Sequence, residues 1–276
     1  MLRDYQIEMK TRLMEAWKAH RSVMVQMPTG TGKTHLLASV VSEFVSSAGS
    51  GVWLIAHRRE LVAQMEETLA KYGIRREDTP VRVMSVQWLS RHWNEAGDAP
   101  GLIVIDEAHH ALAASYTEMW KRYPAAKKLG VTATPCRLNR RGFTELFEVL
   151  VTSWSIAEFI EKGVLSVFDY VSIRPGSEEQ RLIDGLEKRG ADGDYQVKEM
   201  DAVLNRRPGI ERLYRSVRQF ASGKKGMVYA ISIEHARRIA EYYSRRGVNA
   251  VAVDSKTPAT VSYTHLRAHE TTLHLV

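Results

Sequence analysis

Residues Ser22 to Thr34 read SVMVQMPTGTGKT. A short apolar run enters a loop with two glycines, and Lys-Thr opens an apolar-periodic stretch that continues to Val45. The order is strand, tight loop, helix. Gly30 and Gly32 permit backbone conformations in which a side chain would clash. After Pro28, successive N–H groups of Thr29-Gly30-Thr31-Gly32 and the helix start can then cradle phosphates. In such a loop Lys33 supplies a point charge for the β- and γ-phosphates, and the Thr34 hydroxyl is a Mg2+ ligand. The strict pattern has glycine at position 27, where this chain has Met27.

The flanking sequence supports that context. Tyr5 to Ala19 has helical spacing, with Ile7, Leu13, Met14 and Trp17 as candidate buried positions. GVWLIA (Gly51 to Ala56) reads as a strand and Arg58 to Tyr72 as a helix. Val81 to Met84 is a third strand. GLIVI (Gly101 to Ile105) is a fully apolar strand ending at Asp106, and Lys127 to Val131 leads to another strand end at Thr132. Strands alternating with helices predict an α/β fold with a parallel sheet covered on both faces. Ligands of such sheets bind at the carboxyl ends of the strands. The glycine loop, DEAH (Asp106 to His109) and TATP (Thr132 to Pro135) all fall at predicted strand ends. Asp106 is the expected Mg2+ partner, and Glu107 is placed to orient the attacking water.

Taken together, MPTGTGKT, DEAHH and VTATP resemble the first motor domain of a superfamily 2 DEAD/DEAH-box helicase, in the style of the DNA-repair and restriction-type translocases. The resemblance implies a RecA-like P-loop domain and the cofactors ATP and Mg2+. LRDYQ (Leu2 to Gln6) resembles the adenine-reading segment, with Gln6 as the base contact and Arg3 beside it. AHRRELVAQ (Ala56 to Gln64) resembles a segment that grips a nucleic-acid backbone, which puts His57, Arg58 and Gln64 forward as contacts. SVQWLSR (Ser85 to Arg91) stands where a second such segment lies. Thr132 and Thr134, with His109 of the DEAH string, resemble the set that couples hydrolysis to strand movement. MVYAISIEHARRIAEYY (Met227 to Tyr243) resembles the opening of a second motor domain.

The expected organisation is a RecA-like ATP-binding domain over 1–150, a connection with a helical segment over 151–210, and an incomplete second RecA-like domain over 211–260. Phe143 to Gly163 reads as helical, Val164 to Ile173 as extended, and Met227 to Ile231 and Ala250 to Val253 as buried strands. Helices are expected at Gln180 to Lys188, Ile210 to Ser222 and Glu234 to Arg246. Residues 261–276, VSYTHLRAHETTLHLV, resemble translated sequencing-adapter sequence and are set aside from fold reasoning. The native protein is expected to continue past about residue 260 with unrelated sequence, so this chain by itself should bind ATP weakly and unwind little.

Bulk properties narrow the field. The 276 residues suffice for one large or two ordinary domains. A formal charge of +7 agrees with a nucleic-acid partner, and the resemblance to DNA-repair and restriction-type translocases implies DNA rather than RNA. Lys121 to Arg141 holds seven Lys or Arg and no acid, and Arg206, Arg207, Arg212, Arg215 and Arg218 form a second basic cluster. The single Cys136 excludes an intrachain disulfide and fits a reducing, cytoplasmic setting. No apolar run reaches the ~20 residues of a membrane span, so no membrane partner is expected. Trp17, Trp53 and Trp120 read as packing, and His110 as a local hydrogen-bonding residue. The function implied is an ATP-dependent helicase or translocase motor. The alternative is an ATP-switched nucleic-acid sensor that does not unwind. A small-molecule kinase is disfavoured by AHRRELVAQ and TATP standing in the motor order.

Overall fold

A computed structural model describes residues 2–56, 59–75, 77–110, 114–135, 144–172, 177–189 and 195–257. Contacts divide the chain into two units that meet at Leu165 and Ser166.

The first unit is a six-stranded sheet. Its elements run α1 (Asp4–Ala19), β1 (Ser22–Gln26), α2 (Lys33–Ala48), β2 (Val52–Ala56), α3 (Arg59–Ala70), β3 (Val81–Ser85), α4 (Val86–Leu89), β4 (Leu102–Asp106), α5 (Ala114–Arg122), β5 (Lys127–Thr132), β6 (Val149–Thr152) and α6 (Ile156–Glu161). The strand order is β3-β2-β4-β5-β1-β6, and every pairing is parallel. All strands therefore end on one edge, where Gln26, Ala56, Ser85, Asp106, Thr132 and Thr152 lie.

Two-residue alternation along each strand splits the core in two. Val23, Val25, Val52, Leu54, Leu102, Val104, Leu129 and Val131 join one cluster with residues of α1, α2 and α3. Met24, Trp53, Ile55, Ile103 and Ile105 join the other with Tyr116 and Met119 of α5. Continuous apolar strands of this kind suit a sheet covered on both faces. Gly130 belongs to the second face, and a β-carbon there would stand 2.5 Å from the Phe147 ring and 2.8 Å from Ala108. The missing side chain is what lets those two residues close over β5.

Several local expectations are corrected. Phe143 to Gly163 is not one helix: Val149–Thr152 is a strand that extends the sheet beyond β1, and only Ile156–Glu161 is helical. The β-branched, apolar run VLVT finds a ladder partner in β1, and that pairing outweighs local helical spacing. In α1 the packed face is Tyr5, Met9, Leu13 and Trp17, a four-residue stripe on which Ile7 does not fall; Ile7 is exposed.

The second unit contains α7 (Ser177–Asp184), α8 (Val197–Leu204), α9 (Arg207–Phe220) and α10 (Ile233–Ser244). Ile210, Ile239 and Tyr243 form its small core. Met227 to Ile231 and Ala250 to Val253 were expected as buried strands. They carry no strand, and Tyr229 is 90% exposed. A strand exists only by pairing, and no ladder partner lies beside either stretch among the described residues. Residues 164–172 likewise belong to no regular element.

Candidate functional site

The glycine loop stands at the carboxyl edge of β1. Gly30 and Gly32 have φ of 82° and 77°, and Gly32 is the left-handed N-cap of α2. Met27 occupies the position where the strict pattern has glycine. Its N–H donates to Thr132 O at 3.0 Å, extending the β1–β5 ladder by one residue, and its side chain is fully buried in the core. The residue acts as the last position of the strand, so glycine's freedom is not needed there.

Helix α1 holds the loop from below. Tyr5 OH donates to Thr31 O at 3.0 Å. The Gln6 amide donates to Thr31 O and to Gly32 O, both at 3.1 Å, and its Oε1 accepts the Arg3 N–H at 2.8 Å. Both amide hydrogens of Gln6, the expected base contact, are thus spent on the loop backbone. Arg3 stands exposed just before α1. The Thr31 hydroxyl donates to Pro28 O at 2.7 Å, closing the turn; Thr29 is exposed. Lys33 and Thr34 open α2, half-buried.

Strand β4 delivers Asp106 to the same edge. Burial, then the neighbouring Glu107 carboxylate, pushes Asp106 above the ordinary carboxylate range, against the pull of Lys33. Burial likewise pulls the Lys33 ammonium below the ordinary lysine value although Glu107 and Asp106 favour its charge. Lys33 and Asp106 therefore share a partly desolvated space, in which a phosphate would favour the charged form of Lys33 and a cation that of Asp106. Glu107 has φ of 50°, the one positive value outside glycine among the described residues, and its N–H donates to Asp106 Oδ1 at 3.0 Å. His109 Nδ1 lies 3.3 Å from Glu107 Oε2 and 2.9 Å from Thr132 Oγ1. The Thr132 hydroxyl donates to Thr134 O at 2.9 Å and accepts the Thr134 N–H at 3.1 Å. DEAH and TATP are thereby one network.

Other expectations fare differently. His57 and Arg58 lie outside the described residues, as do Cys136 and the 261–276 tail. Gln64 lies in α3, its side chain outside the description. Of the basic run from Lys121, Arg137, Arg140 and Arg141 lie outside the described residues, and Lys127 and Lys128 do not stand at the site. Lys128 is buried and donates to Tyr123 O at 2.8 Å and Pro124 O at 3.3 Å, because it points inward at the start of β5. Lys127 lies over the Trp17 ring at 5.2 Å. Both stand at the amino end of β5, the edge opposite the loop, and Lys127 lines a groove of about 400 Å3 there with Trp17 and Phe44. Trp17 and Trp53 are buried, and Trp120 donates to Leu146 O at 2.7 Å, so all three pack as expected. Tyr5 was missed as a site residue: an aromatic next to Gln6 carries no sign in the sequence that its hydroxyl reaches Thr31. Among the described residues no group of three or more His, Cys, Asp or Glu could by itself hold a metal, and no helix is long and apolar enough to cross a membrane.

Residues 1–137 match the family described as "Type III restriction enzyme, res subunit". The chain belongs to the superfamily 2 helicases, in their restriction- and repair-type branch. Among the relatives of this superfamily 2 chain, a "51.5 kDa protein" of a Lactococcus phage is 28% identical over 85% of the chain and 49% of its own length. The "Putative ATP-dependent helicase IRC3" of Saccharomyces cerevisiae is 26% identical over 93% and 41%. The "DNA 3'-5' translocase XPB2" of Sulfurisphaera tokodaii is 28% identical over 68% and 44%. The superfamily 2 chain thus spans about half the length of the curated relatives it matches. Among solved structures, the Pyrococcus furiosus Hef helicase domain is 17% identical, with a TM-score of 0.49 over 90% of this chain and 55% of that one.

Proposed function

We propose that this chain is the nucleotide-binding part of an ATP-dependent nucleic-acid helicase or translocase. The observation that carries the reading is the meeting, at one sheet edge, of the loop with Lys33, the Asp106–Glu107 pair and the His109–Thr132 network. The loop cradles the triphosphate, and Lys33 meets its β- and γ-oxygens. Thr34 and Asp106 fit Mg2+: one is a hydroxyl on the first turn of α2, the other a carboxylate that burial makes costly to leave unpaired. When bound, the ion would draw charge from the phosphoryl oxygens in the transition state. Glu107 orients the attacking water. Arg3 and Gln6 face the base side, Gln6 by exchanging a loop bond for one to adenine. His109, Thr132 and Thr134 pass the state of the site to the nucleic-acid surface, where His57, Arg58 and Gln64 touch the backbone.

Nucleic acid is the partner, and DNA is favoured. The positive charge supports a nucleic-acid partner, and a relative named as a DNA translocase supports DNA as that partner. The domain reading is a motor domain over 1–150, a connection over 151–210, a partial second motor domain over 211–260 and a non-native tail after it. The exposed apolar stretches 227–231 and 250–253 support the third part, since they have strand composition without strand partners. The setting is cytoplasmic, and the chain alone binds ATP weakly and unwinds little.

The test is ATP hydrolysis by the full-length parent with single- and double-stranded DNA and RNA, alongside strand displacement. DNA-stimulated hydrolysis with displacement is expected. Stimulation without displacement or movement would favour the ATP-switched sensor, and hydrolysis indifferent to every nucleic acid would sink the motor reading.

A further inference from the structure

Leu165 is the last residue of the first unit, and it rests on the glycine loop. A β-carbon built on Gly30 would stand 3.3 Å from Leu165 Cδ2. The closed turn after α6 puts it there. Gly163 takes a φ of 67°, and the N–H groups of Val164 and Leu165 both donate to Phe159 O, at 2.9 and 3.1 Å. Phe159 is fully buried and meets the Tyr5 ring edge-on at 5.1 Å, while Tyr5 OH holds Thr31 O. Two successive loop residues therefore lean on one turn: Gly30 through Leu165, and Thr31 through Tyr5 and Phe159. The chain that follows carries Phe168 and Tyr170, 61% and 86% exposed.

We propose that Leu165 is a positioning residue for the phosphate loop and carries the loop's occupancy to the connecting segment 166–172. The proposal rests on the reading of the loop as a nucleotide site. Leu165 is partly buried against the core beside α1 and α2, so it is backed by packed side chains that leave little free volume to absorb a movement of the loop. Gly30 offers no side chain to buffer the contact, so movement of the loop backbone as phosphate seats moves Leu165. Its covalent neighbour, Ser166, is the first residue of the second unit. The loop thus reports through one apolar contact, on a side of the site remote in sequence from DEAH and TATP.

The test uses the 276-residue chain, with Leu165→Ala and Leu165→Met beside it. Affinity for Mg-ADP and a non-hydrolysable Mg-ATP analogue is measured together with the rate of chymotryptic cleavage after Phe168 and Tyr170. Cleavage after Tyr229 serves as the internal reference. In the unsubstituted chain, nucleotide is expected to change cleavage at Phe168 and Tyr170 relative to Tyr229. In Leu165→Ala that response should vanish and affinity fall about fivefold, and Leu165→Met should restore both. A chain that binds nucleotide with no change at Phe168 and Tyr170 overturns the proposal without any variant. So does Leu165→Ala that binds and responds like the unsubstituted chain. Absence of nucleotide binding in the unsubstituted chain overturns the nucleotide-site reading itself, and this inference with it.

Discussion

His109 Nδ1 lies 2.9 Å from Thr132 Oγ1. The Thr132 hydroxyl hydrogen is directed to Thr134 O, which assigns His109 as the donor in this pair. The imidazole thus ties the acidic motif of β4 to the end of β5. Replacing His109 with Ala removes that donor and leaves Asp106 and Glu107 in place. The expected result, in the full-length parent, is a several-fold loss of nucleic-acid stimulation of ATP hydrolysis, about 1 kcal/mol of coupling, with the basal rate less affected. Equal loss of both rates would show that His109 acts on the chemistry itself.

Glu107 combines a left-handed backbone with a carboxylate beside Asp106. Strain of this kind persists where surrounding structure enforces it. Glu107→Gln preserves shape and removes the base. In the parent, hydrolysis should fall about 10²- to 10⁴-fold while binding of a fluorescent ATP analogue is retained. Loss of binding in equal measure would assign Glu107 to nucleotide affinity instead.

Asp106 is raised above its ordinary value of 3.8 by burial and then by Glu107. The folded chain holds this proton more tightly than the unfolded one, so ionisation lowers stability. The cost is absent below 3.8 and complete above the raised folded value. Asp106→Asn should therefore raise the thermal midpoint of the nucleotide-free chain at neutral pH. Its advantage should shrink as pH falls toward the ordinary carboxylate range. Thermal unfolding at several pH values measures this, and a lower midpoint for the Asn variant at neutral pH contradicts it.

Lys128 was part of the predicted basic cluster but donates to two main-chain carbonyls. Lys128→Ala would leave both unpaired, at about 2 kcal/mol of stability, measurable by denaturant unfolding. Nucleic-acid affinity and its salt slope should not change. A slope reduced by about one would restore Lys128 to the phosphate contacts.

Gly32 sits at φ of 77°, and a β-carbon there would stand 2.5 Å from Gln6 Nε2. Gly32→Ala should cost about 1–2 kcal/mol from the backbone alone, with a further loss from the collision. Gln6→Ala relieves only the collision. The double variant should be more stable than the sum of the single effects, the sign of two residues in contact. Strict additivity in urea unfolding would place Gln6 away from the loop.

What could be read along the chain was local. SVMVQ, GVWLIA and GLIVI announced buried strands because runs bounded by turns keep their meaning wherever the chain folds. The glycine loop, DEAH and TATP were placed at strand ends for the same reason. Less local features were misread. VLVT became a strand by pairing with β1, and MVYAI did not become one, although both are short and apolar.

The amino-acid sequence by itself determined the parallel α/β class and the chemistry gathered at one edge of the sheet. Residue type, glycine placement and hydrophobic run length act within a few positions, so they survive any rearrangement of distant segments. Tertiary structure alone decided the strand order, the burial of Lys128, the use of both Gln6 hydrogens on the loop, and the seat of Leu165 on Gly30. Each depends on groups far apart in the chain meeting within a few ångströms. Close packing and hydrogen-bond satisfaction set those meetings, and both belong to the folded whole.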